Sequence, residues 1–223
     1  MPDLDYFIDK AEAVPYAAAP QLAFGLRIVQ KAAPGQPLRQ IHSVTLRCQI
    51  RLEPARRKYS PAEQGKLVEL FGEPARWGQT VRSMLWVNTA IVVPAFVEQA
   101  QVDLPVTCTY DFNIATTKYF HALEDGEIPL GLLFSGTIFY RGEDDSLQVA
   151  QISWEKEVNY RLPVAVWKRT MDLYFPNSNW ITLRRDVFDR LAEFRTRHAL
   201  TSWEQAVESL LAASQEAEEP VTR

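Results

Sequence analysis

Apolar residues recur at every second position over much of the first two thirds of the chain. Over residues 22–28, Leu22, Phe24, Leu26 and Ile28 share one parity, the pattern of a half-buried strand. The alternation is cleaner from Ile41 to Leu52. Val44, Leu46, Cys48, Ile50 and Leu52 stand on one side, and Thr45, Arg47, Gln49 and Arg51 on the other. One face therefore meets a core and the other meets water or a partner. These two segments are expected to be antiparallel neighbours. Residues 4–14, followed by Pro15 and Pro20, read as an edge strand. Residues 84–97 (kinked at Pro94), 102–114, 128–140 and 147–154 read as further strands, with Gly136 marking a bulge or a close backbone approach. Residues 31–37, 124–127 and 141–146 carry turn chemistry. Residues 118–123 fit neither period.

Helical signals interrupt and then replace this pattern. Ser60-Pro61-Ala62-Glu63 supplies a cap, a proline at the first helical position and the acid of a capping box. Leu67, Val68, Leu70 and Phe71 form its apolar stripe, and Gly72 and Pro74 end it. A short helical turn follows near 77–83. At Pro163 the period lengthens, and Val164, Val166, Trp167, Thr170, Met171 and Tyr174 fit one helical face. Asp186 is expected to cap a helix reaching about His198, which buries Phe188, Leu191 and Phe194. Thr201-Ser202-Trp203-Glu204 opens a last helix carrying Val207, Leu210 and Leu211. The expected class is α+β: an antiparallel β-sandwich of about seven strands with an inserted helix and a C-terminal helical subdomain packed against it. Its parts are a sandwich over 1–160 with the insertion near 60–83, a helical cover over 161–212, and a flexible acidic tail over 213–223.

Composition narrows the function classes. The 223 residues are 47% hydrophobic and 23% charged, with a net charge of −4. That describes a globular chain and offers no concentrated positive surface for nucleic acid. No apolar stretch reaches the length of a membrane span, and the N-terminus has no signal-peptide pattern, so a cytoplasmic protein without membrane insertion is expected. The two cysteines, Cys48 and Cys108, sit in strand-like runs and read as buried free thiols. A composite zinc site using both and one histidine requires adjacent strands.

Candidate chemistry is sparse. His42, His121 and His198 have no metal-ligand spacing. The carboxylates of 124–127 and 143–145 read as solvated turns. Ser135-Gly136-Thr137 lies in a strand and matches neither a nucleophile elbow nor a phosphate loop. No catalytic residue, cofactor or metal ligand is therefore assigned. Two features remain. Arg47, Arg51, Arg56, Arg57 and Lys58 place five cations within twelve positions, followed by Tyr59. This is either a solvated strand and turn or a surface for an acidic partner. Six tryptophans (77, 86, 154, 167, 180 and 203) stand mostly at element boundaries, where they can seal helices onto the sandwich or bind. Arg47, Arg51, Arg56, Arg57, Lys58 and Tyr59, with Trp77 and Trp86 nearby, are the candidate partner-binding residues.

Several motifs resemble an uncharacterised bacterial family. They include Leu46-Arg47-Cys48-Gln49-Ile50, Tyr59-Ser60-Pro61-Ala62-Glu63, Cys108-Thr109-Tyr110-Asp111-Phe112, Leu133-Phe134-Ser135-Gly136-Thr137 and Arg161-Leu162-Pro163-Val164-Ala165-Val166-Trp167. The resemblance spans roughly 4–212 and brings no catalytic residues with it. It implies an origin beside nickel–iron hydrogenase genes in actinobacteria, and hence an accessory or assembly role with a protein partner. A small-ligand or metal-binding sandwich and a structural subunit of a larger assembly are the alternatives.

Overall fold

The computed structural model describes residues 2–32, 37–179 and 181–218. Residues 33–36 of the expected turn, Trp180, and the end of the acidic tail beyond 218 lie outside them. The chain divides into two compact units, Met1–Trp180 and Ile181–Arg223.

The first unit is a sandwich of two antiparallel sheets. Strands β1 (Asp3–Ala13), β2 (Gln21–Lys31) and β5 (Gln99–Thr107) form one sheet in the order β1-β2-β5. The other contains β3 (Ile41–Leu52), β4 (Met84–Val93), β6 (Glu127–Arg141), β7 (Leu147–Gln151) and β8 (Glu157–Pro163). Its order is β4-β3-β6-β7, with β8 also on β6. The inward parity of β2 and β3 is buried as its alternation requires. These two strands are nevertheless not neighbours. β2 pairs with β1 and β5, and β3 pairs with β4 and β6. Alternation looks the same whether two strands lie side by side or face to face across a core, and the link between them is long enough to cross the roughly 10 Å between sheets. Buried Gln30 fixes this crossing: its Nε2 donates to the carbonyls of Arg39 (2.9 Å) and Val97 (2.7 Å), and its Oε1 accepts from the Arg39 amide (2.7 Å).

β6 organises the larger sheet. Its second half, Thr137–Arg141, pairs with β7, and its first half, Glu127–Leu133, pairs with β8. β7 and β8 thus act as one interrupted strand, with an excursion at 152–156 opposite Phe134–Gly136. Two backbone bonds pin the excursion, Ile152 N to Gly136 O (3.0 Å) and Phe134 N to Lys156 O (2.8 Å). Gly136 has φ +141°, and a Cβ there would lie 2.0 Å from the Thr45 carbonyl oxygen. Only glycine lets β3 and β6 approach this closely. Across the core, Tyr6 of β1 stacks on Phe134 of β6 (4.5 Å), and Phe24 of β2 meets Trp86 of β4 and Tyr160 of β8 edge-on.

Four helices belong to this unit. α1 (Pro61–Phe71) starts at the capping box: Ser60 Oγ accepts from the Glu63 amide, and Glu63 Oε2 accepts from the Ser60 amide. Leu67 and Phe71 are buried, while Val68 stays exposed. α2 (Trp77–Thr80) is a single turn; the expected 102–114 strand stops at Thr107, a turn follows over 108–114, and α3 (Ala115–Ala122) takes up most of the unassigned 118–123 segment. α4 (Val164–Tyr174) starts directly from β8 and buries Trp167 and Met171 against β1, β2 and β8. Tyr174 locks it there: its hydroxyl donates to the Val14 carbonyl (2.6 Å) and accepts from the Ala17 amide (2.8 Å).

The second unit is a helical hairpin, α5 (Arg185–Arg197) and α6 (Trp203–Glu218). Arg184, not Asp186, occupies the N-cap position of α5, without a side-chain cap hydrogen bond, and Asp186 lies in the first turn. The expected burial of Phe188, Leu191 and Phe194 is corrected: no residue of α5 is buried. α6 continues past Ala212 to Glu218. Its start is held by Ser202 Oγ accepting from the Gln205 amide (3.2 Å), while Gln205 Oε1 accepts from the Thr201 amide (2.9 Å). Among the described residues no helix is long and apolar enough to cross a membrane.

Candidate functional site

The eight candidate partner-binding residues do not form one surface. Arg57 is drawn inward. Its Nη2 donates to Glu63 Oε1 (2.6 Å) and to the Asp125 carbonyl (2.6 Å), and its Nη1 donates to the Glu127 carbonyl (2.7 Å). The pair is shielded, with side-chain exposures of 9% and 5%, and it staples the start of α1 to the turn before β6. Burial alone would raise the Glu63 pKa, but the Glu124 and Ser60 amides and the Arg57 guanidinium outweigh it and hold the carboxyl below its ordinary value.

The aromatics of the set are committed as well. Tyr59 donates to the Pro54 carbonyl (2.8 Å), so Tyr119 donates to Tyr59 across their 2.9 Å contact. Trp77 packs edge-on against Tyr59 and Phe71, and its Nε1 donates to the Gly72 carbonyl. Trp86 lies against Phe24 and Phe120 at the core. Arg51 donates twice to Gln49 Oε1, and Arg56 donates to Asn159 Oδ1. Arg47 and Lys58 are exposed, with no ion-pair partner among the described residues.

Arg47 instead stands beside a residue outside the candidate set. Trp154, at the tip of the 152–156 excursion, is 89% exposed. It does not seal a helix onto the sandwich. With Arg47, Gln49, Asn88, Ala90, Leu133 and Ser135 it lines an open depression of about 600 Å³ on the outer face of the five-stranded sheet. Further along that face, Val92 and Val149 are 69% and 56% exposed. Continuing the inward parity of Ala150 and Ile152 places Trp154 inside. The strand ends at Gln151 and the excursion turns the indole out, so parity conceals it. A tryptophan embedded in Ser153-Trp154-Glu155-Lys156-Glu157 was the available signal.

A second cavity, about 340 Å³, lies between the start of β1 and the same excursion and is lined by Leu4, Tyr6, Gln151, Ser153 and Lys156 among others. Tyr6 is 5% exposed, and its hydroxyl has no hydrogen-bond partner among the described residues. Burial, then Asp3 and Asp5, push its pKa far above the ordinary tyrosine value, so it stays a neutral donor. Lys156 bridges Asp3 (2.7 Å) and Asp5 (3.2 Å) at the rim.

Redox and metal chemistry find little to use. Cys48 of β3 and Cys108, just past β5, belong to opposite sheets, are free and buried, and burial pushes both thiols up to about 12. Among the described residues no group of three or more His, Cys, Asp or Glu could hold a metal ion. His121, edge-on to Phe112, is held below its usual pKa by burial and by Lys66 and Lys168.

The sequence profile described as a family of unknown function, DUF6084, matches residues 1–219. No curated protein matches the chain. Among solved structures, the chain is similar to an ApaA protein from Bordetella pertussis at 15% identity and TM-score 0.24, covering 73% of this chain and 95% of that one. It is also similar to the sporulation control protein Spo0M of Bacillus subtilis at 11% identity and TM-score 0.22, covering 73% of this chain and 48% of that one.

Proposed function

We propose that this chain, which belongs to the DUF6084 family, is a non-enzymatic docking protein that receives a protein partner on the outer face of its five-stranded sheet. The observation that carries this reading is Trp154, a large apolar side chain 89% exposed beside the unpaired Arg47. Trp and Arg supply a disproportionate share of binding energy when a partner excludes water from them. A segment pairing an apolar side chain with a carboxylate suits them, since Arg47 would aid its approach and the indole would hold it. The hydrogenase association implied by the resemblance makes components of a nickel–iron hydrogenase system the first partners to try.

The test is photo-crosslinking from position 154 in cells, followed by reciprocal copurification of the captured protein. Trp154→Ala and Arg47→Glu should each weaken that complex by about 2 kcal/mol, roughly 30-fold, while Lys58→Ala leaves it intact. A partner retained equally by all three variants would sink the reading. The hydrogenase part fails separately if the captured protein belongs to another system.

The unpartnered Tyr6 hydroxyl favours a second reading, a small-ligand-binding sandwich. Buried polar groups rarely stay unpaired, and a small polar molecule could supply the missing acceptor. Native mass spectrometry of gently purified protein would then show an adduct that Tyr6→Phe depletes. An adduct-free spectrum excludes this reading.

A further inference from the structure

The helical hairpin carries an apolar face that its own two helices leave open. Val187, Leu191 and Phe194 of α5 and Val207 and Leu210 of α6 line a groove of about 590 Å³, with Ile181 and Leu183 at its mouth. Ile181 is 66% exposed, and Val207 and Leu210 are 44% and 43% exposed. The two helices meet at Trp203, where Phe188 packs on the indole at 5.1 Å and the Arg195 guanidinium lies 4.0 Å from the ring, and at fully buried Ala206. A two-helix hairpin cannot bury a stripe of this width by itself.

The charges indicate what covers it. Over Arg184–Arg197, α5 and its cap carry five arginines (184, 185, 190, 195 and 197) against Asp186, Asp189 and Glu193, a net of +5 − 3 = +2. α6 carries Glu204, Glu208, Glu216 and Glu218 and no Lys or Arg, a net of −4. Arg190, Glu193 and Arg197 line the groove, so its charged rim on α5 is net positive. On α6, Glu204 stands one turn before Val207, and Glu208 follows it. One helix is therefore net positive, and the other carries acidic residues as its only charges.

We infer that this groove is filled by the same groove of a second copy of the chain, forming a symmetric four-helix bundle in which each α5 lies against the partner's α6. A twofold axis makes such a contact self-complementary, and four-helix bundles bury facing apolar stripes with charged flanks. The charges choose the pairing. α5 against the partner's α6 brings Arg190 and Arg197 toward Glu204 and Glu208, whereas α5 against α5 would oppose two helices of net charge +2. The groove is on the hairpin, so this inference stands independently of docking at Trp154.

The test is the solution mass of the full chain by sedimentation equilibrium across a dilution series. The expected mass is twice that of the chain, with the dimer weakening as salt rises. Leu191→Glu with Leu210→Glu should give a monomer. Because those substitutions could also unfold the hairpin, charge exchange supplies a second arm. A chain with R190E and R197E, and another with E204R and E208R, should each weaken self-association by roughly tenfold or more. Mixed, they should form a heterodimer, since each acidic α5 then meets a basic α6. A wild-type monomer at every concentration overturns the inference. So does a dimer that survives L191E/L210E with its helical content intact, or a charge-exchanged pair that fails to associate when mixed.

Discussion

Gly136 shows how one residue can fix the meeting of two strands. Its missing side chain leaves room for the Thr45 carbonyl, and its φ of +141° lies where side chains are rarely tolerated. Gly136→Ala combines a backbone clash with backbone strain. It should destabilise the protein by roughly 3 kcal/mol or more, read as a lower urea midpoint. A loss within about 0.5 kcal/mol, the range of neutral surface changes, would mean that β3 and β6 are not so close. The glycine was legible as a close approach because it interrupts an otherwise apolar run. The role of Arg57 was not legible. Among five neighbouring cations nothing marks it as the one that enters the protein, because that depends on Glu63 and the 124–127 turn converging from distant sequence. The pair carries a pH signature. The Glu63 carboxyl is lowered in the folded state, so its stabilising contribution is fully present above its ordinary value near 4.5 and is lost as pH falls through the lowered one. Glu63→Gln should flatten the acid limb of a stability-against-pH curve. An unchanged acid limb would exclude the carboxylate as a source of acid sensitivity.

At the scale of elements, the strands read from alternation were found wherever alternation ran long, as in β2 and β3. The segments that differ are short or shaped by neighbours. β8 has Val158, Tyr160 and Leu162 on one parity, a signal that the approaching helix period obscures. α3 is eight residues with adjacent threonines, poor in helix propensity, and it is held by buried Tyr119 and Phe120. The tryptophans sort by element and not by composition: Trp167 is a core residue, half-buried Trp86 packs against the core, and Trp154 is carried outward by a turn. This separation is measurable. Trp167→Ala should cost about 3–5 kcal/mol, the cost of emptying a large buried site. Trp154→Ala should change stability by less than about 0.5 kcal/mol while weakening the partner complex roughly 30-fold. Chemical denaturation of both variants checks the first half, and a large loss at Trp154 would mean that the indole supports the fold.

For the whole molecule, the chain divides into compact units after Trp180, later than the change of period at Pro163. α4 belongs with the sheets, because Trp167 and Met171 enter their core and Tyr174 bonds back to the β1–β2 turn. Periodicity marks where helices begin and cannot say which of them share a core. Among the described residues, every buried apolar side chain except Ala206 lies at or before Met171. The core of the first unit therefore closes without α5 or α6. Residues 181–184 have no regular structure and are exposed, as is Arg185, so a protease can bind this stretch without opening a strand or helix of the first unit. Brief trypsin treatment of the full chain should cut first at Arg184 or Arg185 and leave a fragment with the near-ultraviolet dichroism and cooperative melting of the intact sandwich. A first cut within the sheets, or a fragment that melts without cooperativity, would show that the sandwich depends on the hairpin. If the fragment survives and also sediments as a monomer while the full chain dimerises, the division extends to function, with one unit holding the partner face and the other joining copies of the chain.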